Sequence, residues 1–143
     1  MPADAIQGQS AVPRIARSVR VAGAGYALLG ATFGGSALWA IDHLRRTGEL
    51  PMTPFGFRAL SGPFEQFGTT WFSRLGHALA AVSALQVVAG VWLWRGERRG
   101  LRLGAATTVP GLVLGTGFAL PFQLLGLPIC LILALAGRRS LRD

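Results

Sequence analysis

The sequence predicts an all-α fold, an integral membrane four-helix bundle. The main observation is a run of thirty-five residues, 103–137, without one Asp, Glu, Lys, Arg or His. A bilayer crossing takes roughly 20 apolar residues, so this run is too long for one helix and long enough for two short ones. The chain also has 51% hydrophobic and only 14% charged residues. Together these observations predict one membrane domain at residues 20–143, after a flexible tail at residues 1–19.

The first predicted span covers residues 21–41, which carry no charge and follow three arginines. A cleaved secretory signal is the competing interpretation, because a basic stretch precedes an apolar one and Gly35-Ser36-Ala37 fits a cleavage site. The apolar run is longer than a signal core and continues beyond that site. It is therefore interpreted as a retained span.

Three further spans are predicted at residues 75–94, 103–118 and 121–136. The first of these ends at Trp92 and Trp94, whose amphipathic rings favour the headgroup level of a membrane. A short basic turn separates it from the next span. Pro121 divides the long uncharged run, because proline belongs in the first turn of a new helix and disrupts the interior of an existing one.

The distribution of arginine predicts the orientation of the spans. Ten of the fourteen arginines lie in the tail, in the turn after the second span and after the fourth span, whereas four lie in the loop after the first span. The positive-inside rule then places both termini in the cytoplasm of a multi-pass cell-membrane protein. The absence of Lys is typical of GC-rich genomes and suggests a bacterial inner membrane. Such clusters are topology signals, so no nucleic-acid partner is predicted.

Small residues recur at offsets of 0, 4, 7 and 11, which places them on one face of a helix. Because water cannot drive helices together inside lipid, close contact through small side chains is a usual route to tight packing. These positions are Gly23, Ala27, Gly30 and Gly34 in the first span and Gly104, Thr108, Gly111 and Gly115 in the third. The second span has Leu79, Ser83, Gln86 and Gly90 at the same offsets.

A mid-membrane polar cluster is predicted from the depth of three residues, Thr32, Gln86 and Thr108. Counted from the basic turn, Gln86 and Thr108 lie at similar distances, and Thr32 is near the middle of the first span. A buried amide needs hydrogen-bond partners in hydrocarbon. The cluster is interpreted as a structural clasp, with a polar substrate site as the alternative.

The loop between the first two spans, residues 42–74, is predicted to carry two short interfacial helices. Thr53-Pro54 and Gly62-Pro63 both fit helix starts, and apolar residues follow at spacings of three and four. Their aromatic faces are expected to lie on the membrane surface or to cap the bundle. For the function of the loop, surface anchoring and a lid that binds a lipid or a partner protein both stay open. The apolar positions are Phe57, Leu60, Phe64, Phe67 and Trp71.

An outer-face polar cluster is also predicted, because charged and imidazole side chains flank this loop. Its members are Asp42, His43, Arg58, Glu65 and His77. Antiparallel neighbours would bring Asp42 and His77 to similar depth. No pair has the spacing of a helical metal motif such as His-Glu-x-x-His, so the sequence predicts ordinary interfacial residues and no metal.

Several functions are excluded for want of residues. Cys130 is the only cysteine, so a thiol oxidoreductase lacks its pair. No predicted span carries a central carboxylate for proton-coupled transport, and no phosphate-binding glycine loop is present. No cofactor is predicted.

The sequence favours a non-catalytic accessory or assembly subunit that contacts the lipid bilayer and a membrane-protein partner. The alternatives are a homo-oligomeric transporter or channel, and a membrane enzyme acting on a lipid or quinone.

Overall fold

The computed structural model describes residues 14–56 and 58–143 and is all-α, as predicted. No β-strand forms in these two ranges. Two helices, at Arg17–Thr47 and Thr69–Trp94, are long and apolar enough to cross a membrane, and the helix Pro121–Ala136 is a shorter apolar one. Short 3₁₀ helices form at Pro63–Phe67 and Arg138–Ser140. The four α-helices are α1 (Arg17–Thr47), α2 (Thr69–Trp94), α3 (Arg98–Gly117) and α4 (Pro121–Ala136).

Each α-helix packs mainly on two others: α1 and α3 both contact α2 and α4. The interior holds two apolar clusters, one at each end of the helices. Along α2, Leu79 belongs to one cluster and Leu93 to the other, and the buried Ser83 and Gln86 lie between them. We call the end with residues 48–68 the loop end and the end with residues 95–97 the turn end.

The helices extend beyond the predicted apolar spans. α1 begins at Arg17, inside the predicted tail, of which residues 1–13 lie outside the described residues. It continues through Arg45 and Arg46 to Gly48, whose φ of 77° ends the helix in the left-handed region that favours glycine. Arginine has a high helix propensity, so a charged side chain ends an apolar run without ending the helix.

Glycines bring α1 and α2 into backbone contact. A Cβ at Gly30 would lie 2.5 Å from the Ser83 carbonyl oxygen, and a Cβ at Gly90 would lie 2.5 Å from the Gly23 carbonyl oxygen. Real Cβ atoms do not approach this closely, so any larger residue must separate the helices. The predicted small-residue face of the first span is therefore the contact with α2.

The connection between α1 and α2 differs from the sequence prediction. The predicted helix at Thr53-Pro54 does not form; a turn is present instead, in which the Gly56 N–H donates to the Thr53 carbonyl at 3.0 Å. Prolines and glycine lie too close together in this segment to nucleate a helix. The second predicted start gives the 3₁₀ helix Pro63–Phe67. Phe57 lies outside the described residues.

A stack of three aromatic rings fixes this connection to the loop end. The Phe118 ring meets the rings of Phe64 and Phe72 edge-on, at centroid distances of 5.1 and 5.2 Å. Phe118 is only 1% exposed. The Phe64 ring fills the space that a Cβ at Gly117 would occupy. The connection is therefore packed against the helices as a cap.

Hydrogen bonds also join the chain segments at the turn end. The Arg142 N–H donates to the Gly96 carbonyl at 2.7 Å, and the Arg98 N–H donates to the Arg142 carbonyl at 2.8 Å. The Ala16 N–H donates to Ser140 Oγ at 2.9 Å. The segment before α1, the α2–α3 turn and the segment after α4 thus form one surface.

Candidate functional site

The predicted outer-face polar cluster does not assemble into one site. Asp42 forms an exposed ion pair with Arg46 one turn along α1, at 3.0 Å. The His77 ring donates from Nδ1 to the Ser73 carbonyl at 2.7 Å. No hydrogen bond or ion pair joins Asp42 to His77 in the described ranges. Both side chains are satisfied locally, within their own helices.

Two members of this predicted cluster do meet. Arg58 and Glu65 form an ion pair at 3.9 Å across the connection. His43 instead lies near the Trp39 ring, at a centroid distance of 6.1 Å. No group of three His, Cys, Asp or Glu side chains that could hold a metal ion occurs among residues 14–56 and 58–143.

A second polar cluster lies inside the four helices, and we call it the interior polar cluster. Each helix contributes at least one side chain, and all of them are buried. The Tyr26 and Thr108 hydroxyls share a hydrogen bond at 2.9 Å that links α1 to α3. Its members are Tyr26, Ser83, Gln86, Thr108 and Gln123.

The amides of Gln86 and Gln123 converge on Gly111. The position of a Cβ at Gly111 lies 2.7 Å from Gln86 Nε2 and 3.6 Å from Gln123 Nε2. Both glutamines are 0% exposed. Neither amide has a hydrogen-bond partner among the described residues, and the same is true of Ser83 Oγ. Buried polar groups nearly always have a hydrogen-bond partner. The region around Gly111 is therefore the part of the interior where most hydrogen-bonding atoms lack one.

The three residues of the predicted mid-membrane cluster do not all lie in the interior. Gln86 and Thr108 are both buried in the interior, although no hydrogen bond joins them. Thr32 is exposed on α1. It lies two residues from Gly30, which faces α2, and two residues turn a helical side chain to nearly the opposite face. The position of Thr32 along α1 therefore does not determine the direction in which its side chain points.

Sequence reasoning missed Gln123 and Tyr26. Gln123 is the single amide in the apolar helix α4, a signal that was present in the sequence. Tyr26 lies on the same helical face as Gly30, at a spacing of four. Its hydroxyl forms the hydrogen bond to Thr108 that was expected from a polar residue of α1. The interior polar cluster offers neutral donors and acceptors and contains no carboxylate or imidazole. Its available chemistry is hydrogen bonding.

The loop end carries an exposed aromatic surface of Phe67 and Trp71, and the half-buried Phe64 and Leu75 lie beside it. These side chains line a groove of about 370 Å³. Phe67 and Trp71 are 59% and 58% exposed. The Arg74 guanidinium lies over the Trp71 ring, 5.3 Å from its centroid. Since Phe64 packs on Phe118, this surface is held in place by the cap.

Comparisons with protein-family models, with curated proteins and with solved structures found no match for this chain.

Proposed function

We propose that the chain is a four-span integral protein of a bacterial inner membrane and acts as a non-catalytic accessory subunit. In this proposal α1 to α4 all cross the bilayer, and the 3₁₀ helix Pro63–Phe67 lies at the outer interface. The exposed aromatic surface binds the apolar face of a transmembrane helix in a partner protein. The observation that carries the accessory role is this groove, which the cap holds in a fixed position.

The distribution of side chains supports four spans. Large apolar side chains point away from the interior on α3 as well as on the longer helices, for example Val109 and Val113. On α4 the exposed side chains include Leu125 and Ile132. Polar side chains are buried instead, in the interior polar cluster. A soluble protein buries apolar side chains first, whereas a membrane protein presents them to lipid.

The proposed orientation predicts the compartment of each end. Ten arginines at the turn end against four at the loop end support an orientation with the turn end in the cytoplasm. A reporter that is active only in the cytoplasm should be active when fused after Asp143. The same reporter inserted after Gly56 should be inactive. The opposite pattern would mean that the orientation is wrong, and activity at both sites would exclude four spans.

The aromatic surface suits a protein partner for two reasons. Interfaces are enriched in aromatic side chains, and large rings at the centre of an interface dominate its binding energy. The Phe67 ring also contacts the Phe64 ring of the cap at a centroid distance of 5.9 Å, which reduces the conformational freedom that Phe67 would lose on binding. The groove lies beside the first two turns of α2, where a partner helix crossing the same bilayer would pass alongside it.

The double substitution Phe67→Ala/Trp71→Ala should reduce recovery of the partner at least tenfold. It removes both exposed rings and leaves Phe64, Phe72 and Phe118 in the cap. The measurement is quantitative mass spectrometry of the chain purified in mild detergent from its own cells. Trp94→Ala is the matched control, because Trp94 is 53% exposed and also lies beside an arginine, Arg20.

Other results would contradict the accessory role. A symmetric homo-oligomer without a second protein would favour a transporter or channel. A lipid or quinone retained in place of a protein partner would favour the membrane enzyme. Equal recovery of a partner with Trp94→Ala and with the double substitution would mean that binding does not depend on the aromatic surface.

A further inference from the structure

The turn end is strongly basic. Ten of the fourteen arginines in the chain belong to it, whereas Glu97 and Asp143 are the acidic residues described there. This surface is formed by three segments of the chain that are joined by hydrogen bonds, as described above. The ten residues are Arg14, Arg17, Arg20, Arg95, Arg98, Arg99, Arg102, Arg138, Arg139 and Arg142.

A pocket of about 360 Å³ opens in this surface. Its volume is within the range of roughly 300–1,000 Å³ that is usual for small-ligand sites. The hydrogen bonds between Arg142 and the α2–α3 turn hold the segment after α4 against the start of α3. The pocket is lined by Glu97, Arg98, Arg99, Arg102 and Asp143.

The charges in the pocket leave capacity for an anion. Arg98 pairs with Asp143 at 2.6 Å, and Arg99 pairs with Glu97. Both pairs are solvent-accessible, and exposed ion pairs are weak. Arg102 forms no ion pair in the described part of the chain. Three guanidinium groups therefore face two carboxylates, and guanidinium groups bind phosphate through two parallel hydrogen bonds.

The level of the pocket relative to the membrane favours a lipid phosphate over the phosphate of a soluble molecule. The Arg99 guanidinium stacks on the Trp92 ring, 4.3 Å from its centroid. Trp92 lies in the last turn of α2, and tryptophan at the end of a transmembrane helix lies at headgroup level. In the proposed orientation, the Arg99–Trp92 stack lies at the level of the lipid phosphates of the cytoplasmic leaflet.

We propose that this pocket binds the phosphate of an anionic phospholipid, with Arg99 and Arg102 as its contacts. The inference rests on the proposed function, because it needs the turn end to lie at the cytoplasmic surface. Anionic lipids are abundant on that side of a membrane, and basic pockets between helices bind their headgroups. Bound lipid would hold the turn and the segment after α4 together at the membrane surface.

The test is native mass spectrometry of the full chain in detergent with added phosphatidylglycerol or phosphatidylcholine. Phosphatidylglycerol should be retained at least fivefold more than phosphatidylcholine. Arg99→Gln/Arg102→Gln should abolish this preference. The matched control is Arg45→Gln/Arg46→Gln at the loop end, which also removes two positive charges and one surface ion pair and should keep the preference.

Three results would overturn the inference. The first is equal retention of phosphatidylglycerol and phosphatidylcholine by the unaltered chain. The second is an equal loss of the phosphatidylglycerol preference in Arg99→Gln/Arg102→Gln and in Arg45→Gln/Arg46→Gln. The third is displacement of phosphatidylglycerol by the same concentration of glycerol 1-phosphate. Thermal unfolding shows whether the variants fold, and Arg102→Gln alone carries the test if the pair does not. If the topology reporters keep their predicted pattern while the lipid preference is absent, the lipid inference fails and the proposed orientation stands.

Discussion

Gly30→Leu is expected to lower the free energy of unfolding by about 3 kcal/mol, as overpacking does in a tight core. A Cβ at this position would meet the Ser83 carbonyl oxygen and the backbone nitrogen of Val87, at 2.5 and 3.1 Å. These are backbone atoms that no rotamer change can move, so α1 and α2 must separate. The measurement is the thermal unfolding midpoint of the chain in detergent.

The matched control for Gly30→Leu is Gly35→Leu in the same helix. Apart from the neighbouring backbone of α1 itself, no atom lies within 4 Å of a Cβ at Gly35, which is exposed. Leucine has a higher helix propensity than glycine, so this change should leave stability the same or raise it. Equal unfolding midpoints for the two variants would show that the Gly30 face is not the α1–α2 contact.

Phe118→Ala should destabilise the chain by about 3–5 kcal/mol, the usual loss for truncating a buried phenylalanine. The change removes the ring between Phe64 and Phe72. It should also release the connection between α1 and α2, because this stack fixes it to the helices. Limited proteolysis should therefore cut within residues 48–62 in the variant and leave the unaltered chain intact.

Phe122→Ala provides the comparison for Phe118→Ala. Phe122 lies four residues further along the chain and is 76% exposed, so the same atoms are removed without opening a cavity. Its stability should change by less than about 1 kcal/mol. Similar losses for the two variants would mean that Phe118 is not the centre of the loop-end packing.

The four helices could be predicted from the sequence because uncharged runs of this length have few other structures. The residues at which most of these helices begin and end could not be predicted. α1 extends through Arg45 and Arg46, and α3 begins at Arg98, because arginine continues a helix as readily as leucine does. The predicted bounds mark where apolar character ends. Only for α4 do the predicted and observed bounds agree at both ends. Pro121 marks its start, and Gly137 follows its last residue.

The interior polar cluster was only partly predictable. Depth along the spans identified Gln86 and Thr108, but the angle around α1 decides between Thr32 and Tyr26. The small-residue face already showed that angle, since Tyr26 shares it with Gly30. A cap on the bundle was one interpretation of the loop, but the contact between Phe64 and Phe118 could not be predicted, because 54 positions separate the two residues and no local pattern links them.

This stack changes the interpretation of the loop. The interpretations from sequence were surface anchoring, a cap on the bundle and a binding lid, and each of them treated the aromatic residues as one group. The structure divides them into an inward part that includes Phe64 and an outward part that includes Phe67 and Trp71. Function can therefore be tested at the outward residues without disturbing the cap.

The composition of α3 has a consequence for biosynthesis. This helix carries Pro110 within its length and three arginines in its first turns, and it is not among the helices whose length and hydropathy mark them as spans. A nascent segment of this kind partitions poorly into lipid by itself. Its neighbours α2 and α4 provide the apolar surface that it lacks. In the proposed topology, α3 therefore leaves the insertion machinery with α2 or α4, and the ribosome must complete the hairpin before the segment is stable in the bilayer.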